Sequence, residues 1–112
     1  MLARSAAAIV GAVVVVTDVQ SLHASILSIA VDLRQRRSGL GRRLLCEALA
    51  QQPVQIRTVS LEVRVENAAA RALYEQLGFR ISRRMRKYYA DGASALEYRA
   101  PIQSVLEQCQ GR

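Results

Sequence analysis

Residues 58–66 alternate without a break, with Val59, Leu61, Val63 and Val65 apolar and Ser60, Glu62, Arg64 and Glu66 polar between them. Successive side chains on a strand point to opposite faces, so the segment predicts a strand with one face in a core and the other bearing ionisable groups. Asn67 follows with a side-chain oxygen suited to cap a helix. Residues 68–77 supply strong helix formers with Arg71 and Glu75 four apart, and Gly78 stands where a left-handed stop is wanted.

The remaining segments extend this pattern. Residues 9–16 are Val-rich, 17–21 are polar and 25–31 are again apolar, which predicts two strands joined by a short loop. Gly39 and Gly41 lead into Leu40, Leu44, Leu45, Ala48 and Leu49, an apolar stripe at helical spacing that Pro53 stops. Residues 79–88 and 95–100 flank Asp91-Gly92, a turn dipeptide, so the chain closes in an antiparallel hairpin followed by a polar tail over 102–112. The expected order is β-β-α-β-α-β-β, an α/β chain with a mixed sheet covered by helices, in a single domain over residues 1–112.

Composition narrows the partners. The 112 residues are 51% apolar and 22% charged, which fits one globular core. A net charge of +7 and a pI near 10.4 favour polyanionic partners such as nucleotide cofactors, nucleic acid or acidic peptides. Four Tyr and one Phe are too few for a surface that stacks single-stranded bases, so direct nucleic-acid binding is not the favoured reading. Cys46, Cys109 and the single histidine, His23, lack the number and spacing of a zinc site or a disulfide framework. Cys46 is expected in the core, Cys109 as an idle thiol in the tail, no metal is expected, and a reducing cytoplasm is the expected compartment. Arg4 followed by the small and apolar residues 6–16 imitates a signal peptide. The run is too short to span a bilayer and lacks a clean cleavage site, so it is read as a buried strand with no membrane partner.

Arg36-Arg37-Ser38-Gly39-Leu40-Gly41-Arg42 follows an apolar strand and opens a helix. Glycines let backbone N–H groups converge on an anion, and the helix terminus adds partial positive charge, so a pyrophosphate fits here. A tight strand-to-helix turn with solvated arginines fits equally well. The segment has neither the G-x-G-x-x-G nor the Gly-Lys-Ser/Thr of the common nucleotide loops.

What it does have, Arg36-Arg37-Ser38-Gly39-Leu40-Gly41, resembles the Q/R-x-x-G-x-G/A acyl-CoA signature of the GNAT acetyltransferase superfamily. Four further blocks, in order, sharpen the likeness toward the ribosomal-protein alanine N-acetyltransferase (RimI) family. They are Ser28-Ile29-Ala30-Val31-Asp32, then Leu61-Glu62-Val63-Arg64 with Glu66-Asn67-Ala68-Ala69-Ala70, then Ala72-Leu73-Tyr74-Glu75-Gln76-Leu77-Gly78-Phe79, and finally Tyr88-Tyr89 before Asp91-Gly92. The resemblance covers residues 7–101. It implies a GNAT-like α+β fold with a mostly antiparallel sheet and acetyl-CoA as cofactor, Glu62 as general base and Tyr74 as general acid. It further implies cofactor contacts from Ile29, Ala30, Val31, from Arg36, Arg37, Ser38, Gly39, Leu40, Gly41 and Arg42, and from Asn67, with Tyr88 and Tyr89 lining the peptide entrance. The acceptor it implies is the N-terminal amine of a protein or peptide, a ribosomal protein among the candidates.

Read from the residues alone, Glu62 is also a surface carboxylate among Ser60 and Arg64, Tyr74 a core tyrosine with a wet hydroxyl, and Tyr88 and Tyr89 half-buried turn aromatics. Ser94 replaces an acidic residue usual in the family, which leaves peptide specificity open. The resemblance also implies a first strand, two helices and a further strand ahead of the matching segment, and their expected absence would bare apolar surface and favour a homodimer. Two other functions stay in view: a GNAT enzyme for another primary amine, and a shortened acyl-CoA-binding module with little activity.

Overall fold

The computed structural model describes residues 2–5, 8–31 and 39–111. In chain order the elements are β1 (Leu2–Ser5), β2 (Ala8–Asp18), β3 (His23–Val31), α1 (Leu40–Ala50), β4 (Thr58–Arg64), α2 (Ala68–Gln76), β5 (Arg80–Met85), β6 (Ala95–Pro101) and α3 (Ile102–Gln110). The strands form one sheet in the order β1-β2-β3-β4-β6-β5. Among the described residues β3 and β4 run parallel and the other neighbours are antiparallel. This is the mixed, mostly antiparallel sheet with packed helices expected from the sequence.

The alternation of residues 58–64 sorts the two faces. Val59, Leu61 and Val63 lie opposite Ala100, Tyr98 and Leu96 of β6, and all six are buried. α1 packs on β2 and β3, α3 on α1 and β6, and α2 sets Tyr74 edge-on against Tyr98, so the three helices share this face. Leu44, Leu45, Ala48 and Leu49 of α1 complete the core. The other face carries His23, Ser25, Ser60, Glu62, Glu97 and Arg99, with Val14, Val16 and Leu27 exposed toward its β2 side. No helix covers it among the described residues.

Local signals act as expected around α2. The Asn67 side chain accepts from the Ala70 N–H, and Gly78 takes a φ of 96° at the helix end, a conformation that favours glycine. Arg71 and Glu75 do not pair directly. The Tyr98 hydroxyl intervenes, accepting from Arg71 Nε at 3.1 Å and donating to Glu75 Oε2 at 2.7 Å. A buried phenol needs hydrogen-bond partners, and the two charged side chains supply them.

Three expectations are corrected. The strand β1 pairs antiparallel with β2 where none was expected. Residues 102–110, read as a polar tail, form α3, because Ile102, Val105, Leu106 and Cys109 recur at helical spacing and Ile102 and Val105 are buried. Cys109 is no idle thiol: it is joined to Cys46 in a disulfide across 63 residues of sequence, tying α3 to α1. Spacing in sequence says nothing of two cysteines that the packing of two helices brings together.

Candidate active site

The site begins where the parallel pair ends. Residues 23–26 of β3 pair with residues 58–61 of β4, and there the pairing stops, although β3 continues to Val31 and β4 to Arg64. The cause lies on the other side of β3. Val14 of β2 pairs with Ser28 and Val15 with Ile26, so Leu27 is an extra residue in β3. Such a bulge bends its strand and breaks the ladder. Beyond it, the edge of β3 that includes Ile29, Ala30 and Val31 faces no strand among the described residues. Backbone amides there are free to pair with an extended ligand entering the gap, at the carboxyl ends of parallel strands.

Beyond β3 the chain enters α1, whose N-cap is Gly39 at φ 81°. No neighbouring atom crowds a side chain at that position, so glycine is needed for the left-handed backbone and not for space. α1 has no side-chain cap and no acidic residue in its first turn. Its first N–H groups, at Leu40, Gly41 and Arg42, therefore stay available for an anion. The Arg42 guanidinium is committed elsewhere, donating to the Gln108 carbonyl at the end of α3 at 2.9 Å. Arg36, Arg37 and Ser38 lie outside the described residues.

Glu62 and Tyr74 lie on opposite faces of the sheet. Glu62 stands on the open face and is exposed. Its carboxylate faces the Tyr88 hydroxyl and raises the Tyr88 pKa, by attracting the phenol proton first and by its negative charge second. Tyr88 and Tyr89 meet edge to face at 5.3 Å, and Arg64 lies 4.3 Å over the Tyr89 ring while pairing with Asp91 at 2.8 Å. The two tyrosines thus form a wall beside Glu62. Tyr74 is buried on the helix side between Phe79 and Tyr98. Burial pushes its pKa up, so the phenol keeps its proton. Its hydroxyl has no hydrogen-bond partner among the described residues. Asn67 spends its side-chain oxygen on the α2 cap, which leaves its amide N–H₂ to donate.

Two groups escaped the sequence reading. Glu97 lies directly across from Glu62 in the β4–β6 pair. Its pKa is lowered by the Ser82 hydroxyl first and by the charges of Arg99 and Arg83, so it stays ionised. Alternation of Glu97 and Arg99 with Leu96, Tyr98 and Ala100 was the available signal. His23 bridges Thr58 and Ser60 through its two ring nitrogens at 2.6 and 2.7 Å. Among the described residues no group of three or more His, Cys, Asp or Glu could hold a metal ion, and no helix is long and apolar enough to cross a membrane.

A strand edge left free beside β4 and, further along the chain, an uncapped helix behind a left-handed glycine fit the acyl-CoA arrangement that the sequence resemblance implies for the acetyltransferase class. The sequence pattern of the Acetyltransferase (GNAT) family matches residues 1–79, and the chain belongs to that family. It is similar to the ribosomal protein bS18-alanine N-acetyltransferase of Escherichia coli strain K12, 44% identical over 75 residues that make up 66% of this chain and 51% of the relative. It is also similar to an N-alpha-acetyltransferase of Sulfurisphaera tokodaii, 40% identical over 79 residues covering 69% of this chain and 47% of that one. Thus the chain spans about half the length of these curated relatives. Among solved structures, the E. coli ribosomal-protein-S18-alanine N-acetyltransferase superposes with a TM-score of 0.74 at 36% identity, over 84% of this chain and 62% of that one. Ard1 from Thermoplasma volcanium does so with a TM-score of 0.78 at 35% identity, over 86% and 65%.

Proposed function

We propose that the chain is an acetyl-CoA-dependent N-acetyltransferase whose acceptor is the N-terminal α-amine of a polypeptide, a ribosomal protein among the candidates, in the cytoplasm. One observation carries the reading: β3 and β4 part beyond Ile26 and Leu61, and Glu62, the next residue of β4, stands exposed beside the opening. Acetyl-CoA fits this slot, since its pantetheine amides match the free edge at Ile29, Ala30 and Val31 and its phosphates match the first turn of α1. When bound it supplies an activated acyl carbon and a thiolate leaving group.

The residues then divide the work. A peptide α-amine has a pKa of about 7.7–8.0, so at neutral pH it arrives mostly protonated, and Glu62 takes that proton to free the attacking nitrogen. Backbone N–H groups of the β3 edge donate to the acyl oxygen as it gains negative charge. Tyr74, which burial keeps protonated, would supply the proton to the departing sulfur, and its phenolate would recover the second proton that the acylated nitrogen sheds as the amide forms. Tyr88 and Tyr89 hold the first residues of the peptide against Glu62. Val14 and Val16, exposed on the same sheet face two strands from β4, support pairing of two copies.

The test is acetyl-CoA turnover against peptides with different first residues. Glu62→Gln should lower kcat by about 10²–10⁴-fold at pH 7, with a smaller loss at high pH where the amine is already neutral. Tyr74→Phe should slow the same step without weakening acetyl-CoA affinity. Full turnover by Glu62→Gln at pH 7 would make the carboxylate structural and remove it from the mechanism.

A further inference from the structure

α1 and α3 are tied together at two neighbouring points, one covalent and one ionic in character. Cys46 is bonded to Cys109, and Arg42 Nη2 donates to the Gln108 carbonyl at 2.9 Å. Arg42 and Cys46 stand one helical turn apart on the same face of α1, while Gln108 and Cys109 are consecutive on α3. The contact therefore joins the first turn of α1, which faces the phosphates in the acetyl-CoA reading, to the last turn of α3.

α3 is not held evenly along its length. Ile102 and Val105 at its start are buried, whereas Glu107, Gln108 and Gln110 in its last turn are exposed. Helix ends with little buried surface fray unless something fixes them, and here the disulfide does so. Cys46 and Cys109 are both only partly buried, which leaves the bridge within reach of a thiol. In a reducing cytoplasm a disulfide that forms is characteristically transient and redox-sensing.

Arg42 stands between two demands. The last carbonyls of a helix lack partners within it and carry partial negative charge, which the guanidinium satisfies at Gln108. The first turn of α1 has no acidic residue, so a phosphate bound there attracts the same guanidinium with a full charge. While the bridge is closed, the Gln108 carbonyl is pinned beside Arg42 and keeps it. Once the bridge opens, the last turn of α3 is free to fray and that acceptor is lost.

We propose that the Cys46–Cys109 pair is a redox switch on the cofactor site: closed, it holds Arg42 on α3, and opened by a dithiol, it releases Arg42 to a phosphate of acetyl-CoA and tightens binding. The switch rests on the acetyl-CoA reading of the α1 terminus. The opening step is thiol–disulfide exchange. A thiolate of the reductant attacks one cysteine sulfur, the other cysteine leaves as a thiolate and takes a proton, and the second thiol of the reductant then closes on the mixed disulfide. Two electrons and two protons pass to the chain, which gains two thiols as the reductant becomes a cyclic disulfide. Oxidised glutathione reverses the change.

The experiment compares the full chain in two states, bridged with oxidised glutathione and opened with dithiothreitol, each verified by peptide mapping and freed of reagent. The probe is desulfo-coenzyme A, which has the phosphates and pantetheine arm but no thiol to open the bridge, and its affinity is read by calorimetry. The open chain should bind it about fivefold more tightly, with a steeper loss on adding salt. Cys109→Ser should match the open chain in either buffer. Arg42→Gln, which still forms the bridge and so keeps α3 in place, should bind the probe equally in both states. Equal affinity of the two states of the unaltered chain overturns the switch and leaves the acetyl-CoA reading standing. So does a difference that survives in Arg42→Gln, or a bridge that stays closed in millimolar reduced glutathione, which would make it a structural staple. Loss of binding in both states refutes the acetyl-CoA reading and the switch with it.

Discussion

The covered and open faces of the sheet are built from the same strands but tolerate charge on opposite terms. On the covered side, β4 and β6 present Val59, Leu61, Val63, Leu96, Tyr98 and Ala100 to three helices, and the one phenol tied into charge there, Tyr98, has its hydroxyl held between Arg71 and Glu75. On the open side the intervening residues are Ser60, Glu62, Glu97 and Arg99: Ser60 is buried against His23 and Glu97 is ion-paired with Arg83 and Arg99, while Glu62 and Arg99 stand exposed to water. The difference teaches that stability and chemistry are separated here by a side-chain period of two. Half of each strand is spent on burial, and the other half is free to hold groups that would be costly inside.

The largest expected effect comes from weakening the covered face. Leu45 is fully buried under the sheet, and Leu45→Ala should cost about 2–5 kcal/mol of folding stability, measured by urea denaturation. A cost below about 0.5 kcal/mol would show that α1 is loosely seated, and the contrast between the faces would lose its energetic basis.

A smaller effect is expected where the open face is apolar. Val14→Glu with Val16→Glu should convert a self-associating chain to a monomer in light scattering while leaving the covered core intact. A monodisperse monomer at micromolar concentration before any substitution would remove pairing from the account.

The smallest effect concerns His23, between Thr58 and Ser60. Burial first, and the Arg99 charge second, hold its pKa below the ordinary 6.5. The folded chain therefore binds fewer protons at this site than the unfolded one, so stability is complete above pH 6.5 and declines as the pH falls through the lowered value. His23→Gln should flatten that part of the stability–pH curve. An unchanged slope would assign it to another group.

What was legible in the sequence was local. The alternation at Val59 to Val65 and the Asn67 cap with the Gly78 stop are written in neighbouring residues, and both elements form where those residues direct. The features that escaped are products of tertiary pairing. Cys46 finds Cys109 because α1 and α3 pack side by side, and Glu97 finds Glu62 through the β4–β6 register, which no local period announces. α3 was hidden by its glutamines, although its apolar residues keep helical spacing. In the candidate site, Glu62 acts on the Tyr88 hydroxyl across a tertiary contact that no local period announces, whereas the Arg42 guanidinium, which the resemblance implied as a cofactor contact, turns to the end of α3 because the Gln108 carbonyl offers it an acceptor there.

Leu27 makes the slot a matter of counting. With this residue in β3, the strand has one more unit than its neighbour can match, and everything after it is out of step. A sheet that was in register throughout would close on itself and admit nothing. The surplus unit turns a closed ladder into one with an open berth, and a ligand with amides at peptide-like spacing can complete the ladder as a visiting strand. Binding then requires little new architecture: the opening resides in chain length, which substitution of any single side chain leaves unaltered.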